Sequence, residues 1–205
     1  MVIYELDFYL DVKMCNVYWI ENKNSIFAPN GEYISFNIDF QNEIYPNRLA
    51  PIITKNDANY MVSGSIWGLP PPPNINRPIT NVRNLASPFW QSILNNMENR
   101  CLVPANAFCE WTGEKGKKQK VWFGLKNEEQ FFFAGVWKMY GNKSNFAFLT
   151  TEPNGLVAPI HEKSMPVILK ANECETWFNG SFKDITNLAK PYSSNEMHIR
   201  NSINP

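Results

Sequence analysis

Four side chains of this 205-residue chain have types that suit one another's chemistry: Cys15, Asn81, Glu110 and His161. Glu110 stands out, because it lies between Cys109 and Trp111 in the largely apolar run from Arg100 to Trp111. Carboxylates are rarely buried without a partner, and burial raises their pKa toward neutrality, where they can trade protons. A strand carboxylate facing solvent is the other reading. His161 is one of two histidines and the natural acid–base group near pH 7. Alternatively it serves only to satisfy loop carbonyls. Asn81 and Arg83 follow a proline-rich stretch, and arginine's planar fork suits phosphate. A loop arginine is also commonly just solvated. Trp67, ahead of Gly68, Leu69 and four prolines, reads either as a stacking surface for an unpaired base or as a seal on the core. Cys15 by itself reads as buried filler. Met14 before it suggests more, since a chain that began there and lost its methionine would carry Cys15 with a free α-amine.

Length fits one domain large enough for a substantial core, and 44% hydrophobic with 14% aromatic residues excludes a disordered chain. Nineteen basic residues balance nineteen acidic ones, which argues against coating nucleic acid by bulk charge and leaves room for a small basic patch. The four cysteines form no C-x-x-C pair and have no histidine cluster, so neither a metal site nor a cofactor is expected. Glu5, Asp7 and Asp11 precede the first lysine, unlike a signal peptide, and no apolar run is long enough for a membrane span. A cytoplasmic monomer with free thiols is expected.

The elements that must position these residues are mostly strands. Residues 17–66 carry turn signals at Ala28-Pro29-Asn30-Gly31 and Tyr45-Pro46-Asn47. Pro70 to Pro73 cannot donate to a ladder and predict an extended, exposed rim. Ser87-Pro88 predicts a helix start, and Phe89, Trp90, Ile93, Leu94 and Met97 continue its periodicity to about Asn99. A meander follows: Val121–Leu125 turns at Asn127-Glu128 into 131–138, then at Gly141-Asn142 into 146–150. Asn172 with Glu175 predicts a capping box, and Gly180 a stop. The expected class is α+β: a single domain on an antiparallel, barrel-like sheet with a few flanking helices.

Taken in order, several segments resemble the SRAP family, the SOS-response-associated peptidases regarded as abasic-site processing proteins. They are Met14-Cys15, Trp67-Gly68-Leu69, Asn81-x-Arg83, the run 100–105, Glu110-Trp111, 133–137, 149–154, Pro159-Ile160-His161 and 165–169. The resemblance spans roughly 15–180. It implies a covalent crosslink to abasic sites in single-stranded DNA, with Cys15 as amino-terminal nucleophile and Asn81, Glu110 and His161 lining its pocket. It also implies DNA contacts from Trp67, Arg83 and Lys163. A thiol self-processing peptidase, or a binding module for single-stranded DNA without catalysis, remains as an alternative.

The chain departs from that pattern at several points. Thirteen residues precede Met14, so residues 1–14 are expected to be a leader or a mis-assigned start, with the domain at 15–205. Ile3, Tyr4, Leu6, Phe8 and Leu10 would equally suit an added edge strand. Asn16-Val17-Tyr18 stands where the family commonly has Gly-Arg-Phe, Pro70 to Pro73 replace the usual continuation, and Ser164 reads as an extra residue.

Overall fold

A computed structural model describes residues 15–200 except positions 22, 58, 74 and 115. The expectations for residues 1–14 lie outside the described residues. The strands are β1 (Val17–Trp19), β2 (Ser25–Phe27), β3 (Tyr33–Ser35), β4 (Glu43–Ile44), β5 (Leu49–Asn56), β6 (Asn59–Trp67) and β7 (Asn81–Val82). After helix α1 (Pro88–Leu94) come β8 (Arg100–Ala105), β9 (Ala107–Thr112), β10 (Gln119–Leu125), β11 (Phe131–Tyr140), β12 (Lys143–Thr151), β13 (Met165–Pro166) and β14 (Ile168–Leu169). Helices α2 (Ala171–Asn179) and α3 (Phe182–Leu188) precede β15 (Met197–Arg200). Among the described residues no helix is long and apolar enough to cross a membrane.

The core is a closed ring of strands, β12–β6–β5–β8–β11 and back to β12. The β11–β12 hairpin seals it through the expected turn at Gly141-Asn142, where Gly141 takes φ +62, as the first loop position of a type II′ turn requires. The only parallel step inside the ring joins β6 to β12 at Asn145↔Ile66 and Phe146↔Trp67. Asn145 secures it by donating from Nδ2 to the Gly68 carbonyl at 2.8 Å. At Gly135 a Cβ would stand 2.9 Å from both Cys101 Sγ and Val103 Cγ2, so β8 and β11 approach this closely only over glycine. Aromatic rings fill the interior, with centroids 5.1 Å apart for Trp67 and Phe148 and 4.8 Å apart for Phe133 and Phe148. Each such side chain contributes about 1.5–3 kcal/mol by leaving water.

A second sheet, ordered β15-β10-β9-β1-β4, lies beside the ring. Its strands alternate. Tyr18, Phe108 and Phe123 join the main core, while Val17, Ala107, Cys109 and Trp122 form a smaller cluster on the other face.

Several local expectations are corrected. The strand at 119–125 does not turn back onto 131–140. It pairs with β9 and β15, whereas β11 pairs with β8, β12 and β14 in the other sheet. Helix α1 stops at Leu94, because the Asn96 side chain accepts from Glu98 N at 3.0 Å and starts a separate 3-10 turn, Met97–Asn99. Helix α2 begins two residues before the expected box: Glu173 accepts from Lys170 N at 2.9 Å, and Glu175 binds Lys55 and Tyr60 instead. Gly180 does end that helix.

Candidate active site

Cys15 sits at the entry to β1, just beyond the Val17↔Cys109 pairing with β9, and is fully buried. Its Sγ makes long contacts to the carbonyls of Val17 at 3.7 Å and Cys109 at 3.8 Å. Strand alternation on β9 puts Glu110 on the Phe108 side, facing the main core, where it is 2% exposed. Asn81 lies on β7, held in parallel register against Phe148 of β12. Its Nδ2 donates to the Cys15 carbonyl at 3.1 Å and to Thr80 Oγ1 at 2.9 Å. Residue 15 is thus held through its backbone.

His161 arrives on the loop between β12 and β13. Asn154 shapes that loop: its Oδ1 accepts from the backbone N–H groups of Leu156 and Val157, both at 3.0 Å, and its Nδ2 donates to the Tyr192 carbonyl at 2.7 Å. A turn carrying a bond from His161 N to the Val157 carbonyl at 2.9 Å then presents the imidazole. His161 Nδ1 lies 3.0 Å from the Ser164 carbonyl and 3.9 Å from Glu110 Oε2. A carbonyl can only accept, so this contact favours the proton on Nδ1.

Burial pushes the Glu110 carboxyl up to about 8, and the hydrogen bond from the Cys15 thiol only partly offsets this. Burial likewise pushes the Cys15 thiol well up, reinforced by Glu110 and Cys109. At neutral pH the pocket therefore holds a carboxylic acid beside a thiol, both carrying their protons. Glu110 Oε1, Asn81 Oδ1 and Ser164 Oγ are buried with no hydrogen-bond partner among the described residues. Unpaired buried polar atoms on residues of this neighbourhood fit a site made to take a polar ligand. Among the described residues no group of three or more His, Cys, Asp and Glu side chains is arranged to hold a metal ion.

The four residues singled out for chemistry therefore share one neighbourhood. Trp67 does not belong to its surface. It is fully buried between Tyr18 and Phe148, and its Nε1 donates to the Thr80 carbonyl at 3.0 Å. From there it cannot stack on a base. Its packing instead steadies the Thr80–Asn81 segment. Arg83 and Lys163 are exposed, each two residues beyond a pocket residue. Glu152 is held below the usual carboxylate range first by its own backbone N–H, next by the Thr151 hydroxyl, and also by the Arg83 cation. Thr80, Asn154 and Ser164 support the pocket without having been singled out for it. Of these only Asn154 left a signal, an Asn-Gly pair marking a turn.

The model of the SOS response associated peptidase (SRAP) family matches residues 14–203. The chain belongs to the SRAP family. Among its relatives, the abasic site processing protein YoqW of Bacillus subtilis (strain 168) is 29% identical over 188 residues, covering 83% of this chain and 80% of that protein. The abasic site processing protein YoaM of the same strain is 28% identical, covering 83% and 79%. A solved protein of Bordetella bronchiseptica shares the fold with a TM-score of 0.75 at 18% identity, over 90% of this chain and 98% of that one. A Bacteroides thetaiotaomicron protein aligns with a TM-score of 0.65 at 27% identity, over 80% of each. The SRAP fold and the barrel-like, α+β class expected from the residues agree with these matches.

Proposed function

We propose that this protein processes abasic sites in single-stranded DNA, capturing the ring-opened sugar aldehyde as a thiazolidine on an amino-terminal Cys15. The reading needs residues 1–14 to be absent from the active protein, through a start at Met14 or proteolysis. Support comes from the family match, which begins at Met14, and from relatives named for abasic-site processing. One observation carries it: Asn81 fixes the backbone of residue 15 while Glu110 lies against its thiol.

The chemistry follows from that placement. A free α-amine has a pKa near 7.7–8.0, so a useful fraction is neutral at pH 7. It attacks the aldehyde carbon, the carbinolamine loses water, and an imine forms. The thiol then adds to the imine carbon and its proton passes to the nitrogen, closing a five-membered ring with one water released overall. Closure within one residue gains from proximity, worth roughly 7–11 kcal/mol in well-oriented systems. Glu110, raised by burial to about 8 in the full-length chain and drawn back toward neutrality by an ammonium at Cys15, can both give and take a proton. His161 supplies a proton to the sugar oxygen as the ring opens. Arg83 and Lys163 grip phosphate at the rim. A thiol hydrolase is less well served, because burial opposes the resting thiolate that it needs.

Protein beginning at Cys15 is expected to give a denaturant-resistant band with an abasic single-stranded oligonucleotide, and Cys15→Ala none. No band, or the same band from Cys15→Ala, would falsify the reading. Release of residues 1–14 by the purified full chain, blocked by Cys15→Ala, would instead select the peptidase.

A further inference from the structure

Glu110 and His161 reach one neighbourhood from two different sheets. Glu110 belongs to β9 of the second sheet, whereas His161 rides on the loop that joins β12 to β13. The base of that loop is fastened by the pairs Thr150↔Pro166 and Thr151↔Met165. Its outer part, from Asn154 to His161, lies outside any strand and is held from the far end of the chain. The Asn154 Nδ2 group donates to the Tyr192 carbonyl at 2.7 Å and to Met197 Sδ at 3.1 Å, and the Asn154 backbone N–H reaches Met165 Sδ at 3.4 Å. Tyr192 and Met197 are buried and flank a 3-10 turn, Ser194–Glu196. That turn is itself tied down. Lys126 N donates to the Glu196 carbonyl at 2.9 Å, and the Lys170 ammonium pairs with the Glu196 carboxylate at 3.0 Å and lies 5.4 Å from the centre of the Tyr192 ring.

Met197 opens β15, where it pairs with Leu125 of β10, and β10 pairs with β9 at Val121↔Glu110. A continuous path therefore runs from the strand of Glu110, through β10 and β15, to Asn154. From there it passes to the turn that presents the imidazole, because Asn154 Oδ1 accepts from Val157 N and the Val157 carbonyl accepts from His161 N. We propose that the segment from Tyr192 to Met197 is a brace that positions His161 against Glu110, with Asn154 as the joint. Its part in catalysis rests on the reading of Glu110 and His161 as the groups that move protons; the bracing itself does not. Two features set this apart from ordinary packing. The donor side of the Asn154 amide is given to the brace and the acceptor side to the loop, so one side chain couples the two. In addition, Glu110 Oε2 and His161 Nδ1 lie 3.9 Å apart, too far for a hydrogen bond, so that contact does not fix their separation and the supports around it must.

The decisive measurement is the tautomer of His161 in the full-length chain, read from long-range proton–nitrogen correlation spectra at about pH 8.5. His161→Gln assigns its signals against those of His198, the other histidine. The wild type should carry the proton on Nδ1, facing the Ser164 carbonyl. Asn154→Ser keeps a hydroxyl that can accept from the loop N–H groups but is too short to reach Tyr192, and should show a mixture of both tautomers. Met197→Leu keeps the volume, removes only the sulfur and should shift the mixture less. Ile93→Val, a core change on α1, should lower stability and leave the wild-type tautomer. A wild-type tautomer in Asn154→Ser would overturn the proposal. So would the same mixture in Ile93→Val, which would make it a mark of general loosening. In protein beginning at Cys15, Asn154→Ser should slow adduct formation about tenfold at saturating abasic oligonucleotide, with the half-saturating concentration unchanged. A wild-type rate there would overturn the proposal too. Absence of any adduct from the unsubstituted protein would sink the capture reading alone, because the spectra need no DNA.

Discussion

Arg100 and Glu110 stand ten positions apart in the chain, on β8 and β9, and are equally hidden at 2% exposure. Their surroundings are opposite. Arg100 donates to four carbonyl oxygens: Leu94 at 2.9 Å, Trp177 at 3.0 Å, Phe178 at 3.2 Å and Gly180 at 2.8 Å. Those carbonyls close α1 and α2, where partial negative charge collects. Glu110 instead keeps one oxygen with no partner among the described residues, and burial drives its pKa up to about 8. A buried charge held by several hydrogen bonds fastens elements together. One left short is available for reaction.

The largest expected effect breaks the fastened side. Arg100→Met leaves four buried carbonyls short of a donor and should cost roughly 3–5 kcal/mol, read as a lower urea midpoint. Equal midpoints for variant and wild type would mean that solvent reaches those carbonyls.

Glu110 gives the next effect, with the opposite logic. In the full-length chain its folded carboxyl keeps a proton that the unfolded chain releases at its ordinary 4.5, so stability falls as pH rises from 4.5 to about 8. At ~1.4 kcal/mol per pKa unit the loss is at most about 5 kcal/mol, and roughly 3 once relaxation and water entry are allowed for. Urea midpoints at about pH 5 and about pH 8.5 should therefore differ in the wild type and nearly coincide in Glu110→Gln. Starting the chain at Cys15 should shrink the wild-type difference, because an ammonium beside Glu110 favours its charged form. An unchanged difference would place the amine elsewhere.

The smallest effect tests what lies between the two regions. Trp67→Phe keeps an aromatic ring but removes the bond to Thr80, costing about 1–3 kcal/mol. Thermal melting reads the loss. Looser anchoring of Asn81 should also lower the rate of adduct formation, and an unaltered rate would make Trp67 a core residue with no bearing on the pocket.

The grouping of these residues was legible in two ways. Glu110 and His161 stand out by chemical type in apolar company, whereas Cys15 reads locally as buried filler and joins them, with Asn81, only through the resemblance to the SRAP family. Trp67 misled because Trp-Gly-Leu beside prolines looks like a surface loop, whereas the residue ends β6 inside the ring. Which way a strand's last residue points depends on the partner, here the parallel step onto β12. The connection at 126–130 misled for a related reason. Its length suits a hairpin, but β10 and β11 each find partners distant in sequence, in different sheets. Local periodicity carries no information about that choice.

The contact from Asn81 grasps a main-chain oxygen, which every residue type has. The seat at position 15 is therefore generic, and only the side chain placed in it is specific. Serine there would be seated just as cysteine is, yet it lacks the sulfur that closes the proposed ring. On that proposed course such a protein would stall one bond earlier, at a linkage that a hydride reagent could freeze, so that a snapshot of the halfway state is within reach by exchanging a single atom.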